Sequence, residues 1–285
     1  MPNDHPLFRD HPTTGSVTVS TGAEPVPYRA EDGEGLMLIG RGNLETVTQA
    51  MGSEGVHPVV TASGHAAMGI ILSDFRKASH GAHREIQVFA LCSKTPGEVI
   101  GDDAMALPVA MTTRSDLGTL CLHLWNDTAR VVAFNTEYLG LNARLAACEF
   151  FPRDGDAVTF ACADKETGPI LRGQIGFQKR PSLATLWEVL RIAGWRAFVH
   201  LGRSPYAGAF VVNKRSDVLP ENRFAPTFTG ADKMVTRHWN DGRDDGRDRL
   251  ELLHPDLQPY GFEPIAVEHM WPFRFVYHHP DHKGG

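Results

Sequence analysis

The segment His80-Gly81-Ala82-His83-Arg84-Glu85 contains the first residues that could do acid–base chemistry. His83 and Glu85 alternate with Arg84, so on an extended strand both side chains point to the same face. Burial in an apolar pocket raises the pKa of a carboxyl group, which lets the group carry protons near neutral pH. We therefore predict Glu85 as the catalytic proton carrier, assisted by His83. The alternative is a surface salt bridge between Glu85 and Arg84 or a nearby lysine.

Arg144 is the second candidate for catalysis. A guanidinium group can hold a carboxylate through two parallel hydrogen bonds, or stabilise the oxygen of an enolate. We expect Arg144 to line the same pocket as Glu85, with the two side chains facing one another across it. The alternative is a structural ion pair between Arg144 and Glu137 or Glu149.

The histidines of the same segment could instead bind a metal ion. His80, His83 and Glu85 are possible zinc ligands, and His123 could add a fourth. A metal with an open coordination position would polarise a carbonyl or support hydrolysis. The spacing matches no known ligand motif, and histidine pairs arise by chance in a chain that has 14 histidines. We therefore predict no metal, and the sequence contains no P-loop or dinucleotide fingerprint that would indicate another cofactor.

Short β-strands must position these residues. Strands are predicted at 65–74, 84–93, 118–125, 143–150, 157–164, 169–177, 249–253 and 264–277. Helices are predicted at 44–51, after an N-cap at Asn43, and at 181–194. Many strands with few short helices favour an α+β fold that is mostly antiparallel, with the sheet curved into a partial barrel. Such a sheet commonly holds a small molecule in its mouth.

The chain shows no internal domain boundary. Residues 1–24 are predicted to form an N-terminal arm, residues 25–277 a single domain, and residues 278–285 a mobile, histidine-bearing tail. The polar run at 240–248 could be a calcium-binding loop, but its register does not match an EF-hand. We interpret it as a turn between strands.

Composition excludes several classes of protein. The 285 residues carry a formal net charge of −6, whereas a nucleic-acid-binding protein would present a basic face. No apolar run reaches the roughly 18 residues of a membrane span, and the first residues do not resemble a signal peptide. The four cysteines lie among apolar residues, which indicates free thiols and a cytoplasmic location.

Several stretches, taken in order, resemble acetoacetate decarboxylase and its relatives. Pro27-Tyr28-Arg29 resembles the family's P-Y-[KR] start, and Glu85 matches a glutamate that the family has where a strand begins after a loop. Residues 122–145 resemble the family's aromatic strand, D-N-x-x-A-I turn and G-R-E…P-K-K-L segment, and 249–269 match more weakly. The resemblance covers about residues 25–275 and implies the family's fold.

The resemblance also implies a departure from the family. Its members use a lysine of the P-K-K segment to form a Schiff base with the substrate carbonyl. That stretch reads Asn142-Ala143-Arg144-Leu145 here, so the lysine falls on Ala143 and the next lysine on Arg144. Alanine has no amine and arginine stays protonated, so neither can be the nucleophile. We therefore do not expect a Schiff base.

Together these features predict a cofactor-free lyase that acts on a small keto or enol acid through an enolate-type intermediate. Decarboxylation, dehydration, aldol cleavage and tautomerisation share that intermediate and stay open. Substrate-binding candidates are Arg29, Tyr28, Trp125, Glu137 and Asn142, although aromatic residues at strand spacing are more often plain core. The resemblance further implies a homo-oligomer.

Two alternative functions stay open at this stage. The first is a metal-assisted hydrolase of a carbon–carbon or ester bond. The second is a non-catalytic protein that keeps the pocket and binds a small molecule in it.

Overall fold

The computed structural model describes residues 5–154, 156–176, 183–201, 206–211, 224–240 and 247–278. The strands are β1 (Gly15–Val19), β2 (Gly22–Val26), β3 (Tyr28–Gly42), β4 (His57–Pro58), β5 (Val60–Thr61), β6 (Ala66–Ala78), β7 (His83–Ser93), β8 (Val99–Ile100), β9 (Leu117–Asn126), β10 (Ala143–Asp154), β11 (Ala157–Asp164), β12 (Gly168–Gly176), β13 (Tyr206–Val211), β14 (Phe224–His238), β15 (Arg249–Leu252) and β16 (Glu263–Tyr277). The helices are α1 (Pro6–Asp10), α2 (Leu44–Met51), α3 (Ala106–Thr113), α4 (Ala129–Ala133) and α5 (Leu183–Leu201). A π-helical turn, Phe134–Tyr138, follows α4, and a short 3-10 helix spans Gln258–Tyr260.

The long strands wrap around one apolar interior. Hydrogen-bonded pairs run in the order β9-β13-β14-β16-β3-β6, and β7 pairs with both β6 and β9. All of these pairs are antiparallel except β9 with β13. Beyond β9 the sheet continues through β10, which is parallel to it, and then through β11, β12 and β15. The mostly antiparallel, curved sheet with few short helices confirms the predicted fold class.

The sheet separates two apolar cores, because side chains alternate along each strand. On β7, Phe89 and Leu91 belong to the interior core, whereas Ile86 and Val88 belong to the core on the outer face. Both faces of β7 are therefore buried. A strand of this kind shows a nearly continuous apolar sequence, and position in the alternation decides which core each residue joins.

Two of the predicted helices are present, with one change of boundary. The helix at Leu44–Met51 begins at Asn43, whose Oδ1 accepts a hydrogen bond from the Thr46 amide at 2.9 Å. The helix predicted at 181–194 is observed as α5, which continues to Leu201 and is interrupted at Gly194, where φ is 72°. Its predicted first residues, 181 and 182, lie outside the described residues.

The described part of the predicted N-terminal arm packs on its own chain. Residues 6–10 form α1, and Leu7 and Phe8 are buried against Val276 of β16. Strands β1 and β2 form a two-stranded hairpin that follows this helix. Residues 279–285 of the tail predicted at 278–285, and residues 241–246 of the predicted polar turn, lie outside the described residues.

All four cysteines are buried free thiols, as predicted. Among the helices in the described part of the chain, none has the length and apolar character needed to span a membrane.

Candidate functional site

A mostly apolar cavity of about 180 Å³ lies within the curve of the sheet. This is room for about a dozen water molecules, or for one small organic compound. Its walls come from β3, β6, β7, β9, β14 and β16, and helix α3 and residues 135–141 complete the lining. The polar residues of the lining are Ser73, Glu85, Gln87, Thr112, Thr119, Asn135, Thr227, Thr229, Glu268 and Tyr277.

Glycines let two large rings cover the cavity wall. Gly69 on β6 lies opposite Phe89 on β7, and a Cβ atom at Gly69 would approach the Phe89 ring to 2.3 Å. A Cβ atom at Gly35 on β3 would approach Phe273 to 2.6 Å. Both rings therefore lie directly against the backbone of a glycine, at a place where the Cβ atom of any other residue would collide with the ring.

Glu85 lines the cavity from β7. Its Oε2 atom accepts a hydrogen bond from Asn126 Nδ2 at 3.1 Å, and Asn126 Oδ1 accepts one from Asn135 Nδ2 at 3.1 Å. Both asparagines are buried. Burial raises the pKa of the Glu85 carboxyl above its ordinary value, although His83 and the Asn126 hydrogen bond oppose this rise. The role of Glu85 in proton transfer stays a prediction.

The relay from Asn135 to Glu85 depends on two local features. Asn126 lies directly opposite Glu85 in the pairing of β9 with β7, so the two side chains share a face. Asn135 comes from the π-helical turn after α4, and turns of this kind occur often at functional sites. Sequence reasoning named neither asparagine.

Glu268 on β16 is a second buried carboxyl on the cavity wall, and sequence reasoning missed it. Its Oε2 atom accepts a hydrogen bond from Thr236 Oγ1 at 2.9 Å. Burial raises the pKa of Glu268 to about 7, although the Thr236 hydrogen bond lowers it. A signal was present in the sequence, because a glutamate inside an apolar strand is rarely buried without a reason.

Ser73 on β6 adds a hydroxyl beside Glu85. The two residues are directly opposite each other in the pairing of β6 with β7. Ser73 Oγ is buried and has no hydrogen-bond partner among the described residues. An unsatisfied buried hydroxyl on a cavity wall is a natural partner for a polar atom of a ligand.

Neither His83 nor Tyr28 lines the cavity itself, although Tyr28 belongs to the interior core. Tyr28 Oη is 3.1 Å from His83 Nε2, and His83 Nδ1 is 2.8 Å from the carbonyl oxygen of Gly81. Because the Gly81 carbonyl can only accept, His83 Nδ1 donates a hydrogen bond to it, and the Tyr28 hydroxyl is bonded to Nε2. The Tyr28 ring stacks on Tyr277, which lines the cavity, with a centroid distance of 5.0 Å.

Arg144 lies on the opposite face of the sheet, so the expectation that it faces Glu85 was wrong. In the pairing of β10 with β9, Ala143 is opposite Leu124, which lines the cavity, and Arg144 is opposite Trp125, which does not. The Arg144 guanidinium is 4.8 Å above the Trp125 ring, and its Nη2 atom is 2.9 Å from Asp256 Oδ2. Neighbouring residues of a strand point to opposite faces of the sheet, so Arg144 points away from the face that Ala143 shares with Leu124.

Trp125 is likewise outside the cavity, because it is fully buried in the core on the outer face. Ala143, to which the resemblance assigned the family's lysine, shares the face of Leu124. No lysine or arginine occurs among the described residues that line the cavity. The absence of a Schiff base stays a prediction from the sequence.

The other substrate-binding candidates also lie away from the cavity. Glu137, at the end of the π-helical turn, is exposed and accepts hydrogen bonds from the amide and hydroxyl of Ser20 in the N-terminal hairpin. Asn142 is exposed. Arg29 is 3.5 Å from Glu31 and lies over the Phe8 ring at 5.0 Å, so its side chain holds α1.

The histidines of the predicted metal alternative have other partners. His80 Nε2 is 3.1 Å from the Pro25 carbonyl oxygen and 3.8 Å from Glu24 Oε2. Within the described ranges, no three histidine, cysteine, aspartate or glutamate side chains are grouped closely enough to hold a metal ion.

Comparison with known proteins identifies the fold. No protein-family model matches the chain, and no curated protein is similar to it in sequence. A solved structure of acetoacetate decarboxylase superimposes with a TM-score of 0.52 at 10% identity, covering 88% of this chain and 86% of that one. The enduracididine biosynthesis enzyme MppR with HEPES bound gives a TM-score of 0.50 at 10% identity, covering 89% and 86%. Acetoacetate decarboxylase from Legionella pneumophila gives 0.49 at 14% identity, covering 91% and 89%.

The chain therefore has the acetoacetate-decarboxylase-like fold, as the resemblance implied. At this level of identity the likeness shows the fold alone, and the chemistry must be argued from the cavity.

Proposed function

We propose that this protein is a lyase-type enzyme that forms an enolate-type intermediate from a small carbonyl compound held in the cavity, without a Schiff base. The observation that carries the proposal is the Glu85 carboxyl, which faces the cavity and is held by Asn126 at 3.1 Å. The name of acetoacetate decarboxylase, whose fold this chain shares, supports the lyase class.

In the proposed reaction, the Glu85 carboxylate takes the proton from the carbon next to the carbonyl group. The electrons of the broken C–H bond form a C=C bond, and the carbonyl oxygen becomes negatively charged. A carboxylate whose pKa is raised by burial is a stronger base than an exposed one, which favours this step. The Asn126 hydrogen bond fixes the orientation of the carboxylate, and the apolar walls keep water from competing for the proton.

The direct test is exchange of the α-protons of a ketone in deuterium oxide, followed by proton NMR. This assay detects the enolate step whichever reaction follows it. Benzylacetone serves as the probe. We expect the wild-type protein to accelerate exchange, and Glu85→Gln to lower the rate by about a hundredfold or more, as for loss of a general base.

Glu263→Gln is the matched control, because Glu263 lies on β16 with its side chain 63% exposed. This variant should retain the wild-type rate. A folded Glu85→Gln protein with the full exchange rate would contradict the role of Glu85. Covalent trapping of a probe by borohydride would contradict the mechanism without a Schiff base.

A non-catalytic binding protein is the second candidate function, and the mostly apolar wall of the cavity favours it. Its mark would be tight binding of benzylacetone by the wild-type protein with no α-proton exchange. That result would contradict the proposed enzyme.

A further inference from the structure

Glu268 and Glu85 approach the cavity from different parts of the curved wall. Strands β3 and β6 lie between β16 and β7, so the two residues are three strand spacings apart, about 14 Å along the sheet. Because the wall curves, both residues line the same cavity.

The surroundings of Glu268 favour a neutral carboxylic acid. Its neighbour on β3 is Met37, and Met270 follows on the same face of β16, so the side chain is enclosed by apolar groups. Thr236 Oγ1 donates a hydrogen bond to Oε2 at 2.9 Å, so Oε1 is the carboxyl oxygen that can contact a ligand. A protonated carboxyl is a strong hydrogen-bond donor, and a low-dielectric site strengthens its interaction with a developing oxyanion.

We propose that Glu268 in its protonated form donates a hydrogen bond to the carbonyl oxygen of the ligand, and that the cavity takes an uncharged carbonyl compound with an apolar body. This inference rests on the proposed function, in which Glu85 removes the α-proton. The proton moves to the Glu85 carboxylate while the charge develops on the oxygen that faces Glu268. Return of a proton to the oxygen completes a tautomerisation to the enol, return to the carbon completes proton exchange, and no other reactant is needed.

The charge of the cavity argues against a ligand with its own carboxylate. Glu85 must be ionised to act as a base, and an anionic ligand would lie beside that charge in an apolar space. Like charges in a low-dielectric site repel strongly. An anionic ligand would also favour the protonated form of Glu85, so that a smaller fraction of the protein would carry the ionised base. The keto or enol acid expected from the sequence is therefore replaced by a neutral ketone or aldehyde.

The titratable groups that face the cavity together with Glu268 are Glu85 from β7 and Tyr277 from β16. Cys121 of β9 belongs to the same apolar core, and burial raises the pKa of its thiol to about 12. Burial likewise raises the pKa of Tyr277 well above its ordinary value. The cavity-lining residues described for β3, β6, β14 and α3 are not titratable. Glu268 and Glu85 are therefore the carboxyl groups among the described residues that line the cavity.

The test compares benzylacetone with benzylpyruvate, which differ only in a methyl group against a carboxylate on the same carbonyl. Calorimetric titration of the wild-type protein below pH 7 should give at least about tenfold tighter binding of benzylacetone. Glu268→Met keeps the volume of the side chain but removes the hydrogen-bond donor. The affinity for benzylacetone should therefore fall about tenfold or more. Glu268→Gln retains an N–H donor and should preserve most of the affinity.

The pH dependence separates a donor role from a structural one. Wild-type affinity for benzylacetone should fall as the pH rises through about 7, because Glu268 then loses its proton. The affinity of Glu268→Gln should not change over that range. Equal binding of the two probes, or pH-independent binding by the wild type, would overturn the inference.

Failure of this inference can be told apart from failure of the proposed function. If α-proton exchange depends on Glu85 but Glu268→Met binds benzylacetone with wild-type affinity, the proposed function is supported and the role of Glu268 is wrong. If benzylacetone binds through Glu268 but no exchange occurs, the ligand class stands and the catalytic function is wrong.

Discussion

Asn126 lies directly opposite Glu85 on the neighbouring strand and donates a hydrogen bond to its carboxyl at 3.1 Å. A hydrogen bond to a carboxylate stabilises the charged form and therefore lowers the pKa, whereas burial of Glu85 raises it. Together with His83, which also lowers the pKa, these effects set the pH at which Glu85 can act as a base.

Replacing Asn126 should shift that balance. In Asn126→Leu the donor is lost, so the pKa of Glu85 should rise further above its ordinary value. The acid limb of the pH–rate profile for α-proton exchange should move to higher pH by the same amount. Asn142→Leu, an exposed asparagine outside the cavity, is the control. An unchanged profile for Asn126→Leu would show that Glu85 does not carry the proton.

Glu268 should make the stability of the protein depend on pH. Its pKa is about 7 in the folded protein against an ordinary value of 4.5, so the folded state binds more protons between these values. Stability should therefore be highest below pH 4.5 as far as this group is concerned, fall as the pH rises towards 7, and level off above it. Over this pH range the free energy of unfolding of the wild type should fall by about 3 kcal/mol more than that of Glu268→Gln. Urea unfolding of both proteins across this range measures it, and parallel stability curves would contradict the buried, protonated Glu268.

Arg144→Ala should affect stability more than activity. The substitution removes the contact with Trp125 and the ion pair with Asp256, both on the outer face of the sheet. We expect a loss of about 1 to 2 kcal/mol in the free energy of unfolding. The α-proton exchange rate should stay within about twofold of wild type, since no group on the cavity wall is lost. Abolished exchange in a folded Arg144→Ala protein would mean that the guanidinium reaches the ligand after all.

Ser73→Ala should raise stability slightly and weaken ligand binding. The Ser73 hydroxyl is buried without a partner among the described residues, so removing it relieves a desolvation cost of about 1 kcal/mol. Ser93 is the matched control on β7, because its buried hydroxyl is 3.1 Å from Thr95 Oγ1 and accepts from the Thr95 amide. Ser93→Ala should lower stability by about 1 kcal/mol. Thermal unfolding and benzylacetone titration compare the two, and a destabilised Ser73→Ala would indicate a structural role for that hydroxyl.

Local pattern was sufficient for much of the fold. The strand at Ala66–Ala78, the helix at Leu44–Met51 and the long last strand follow from apolar alternation, helical spacing and an N-cap asparagine. The shared face of His83 and Glu85 also follows from alternation, because β7 pairs with β6 in unbroken register from His83 to Ala90.

Only the tertiary structure decided which residues share the cavity. Alternation states that Ala143 and Arg144 face opposite ways, but the register of β10 against β9 determines that Arg144 takes the outer face. Likewise, Glu268 joins Glu85 only because β16, β3, β6 and β7 pair in that order around one interior. Side-chain direction along a strand is a local property that the sequence determines. The choice of interior face depends on pairing between strands that are far apart in the chain, and that is settled by burial in the folded protein.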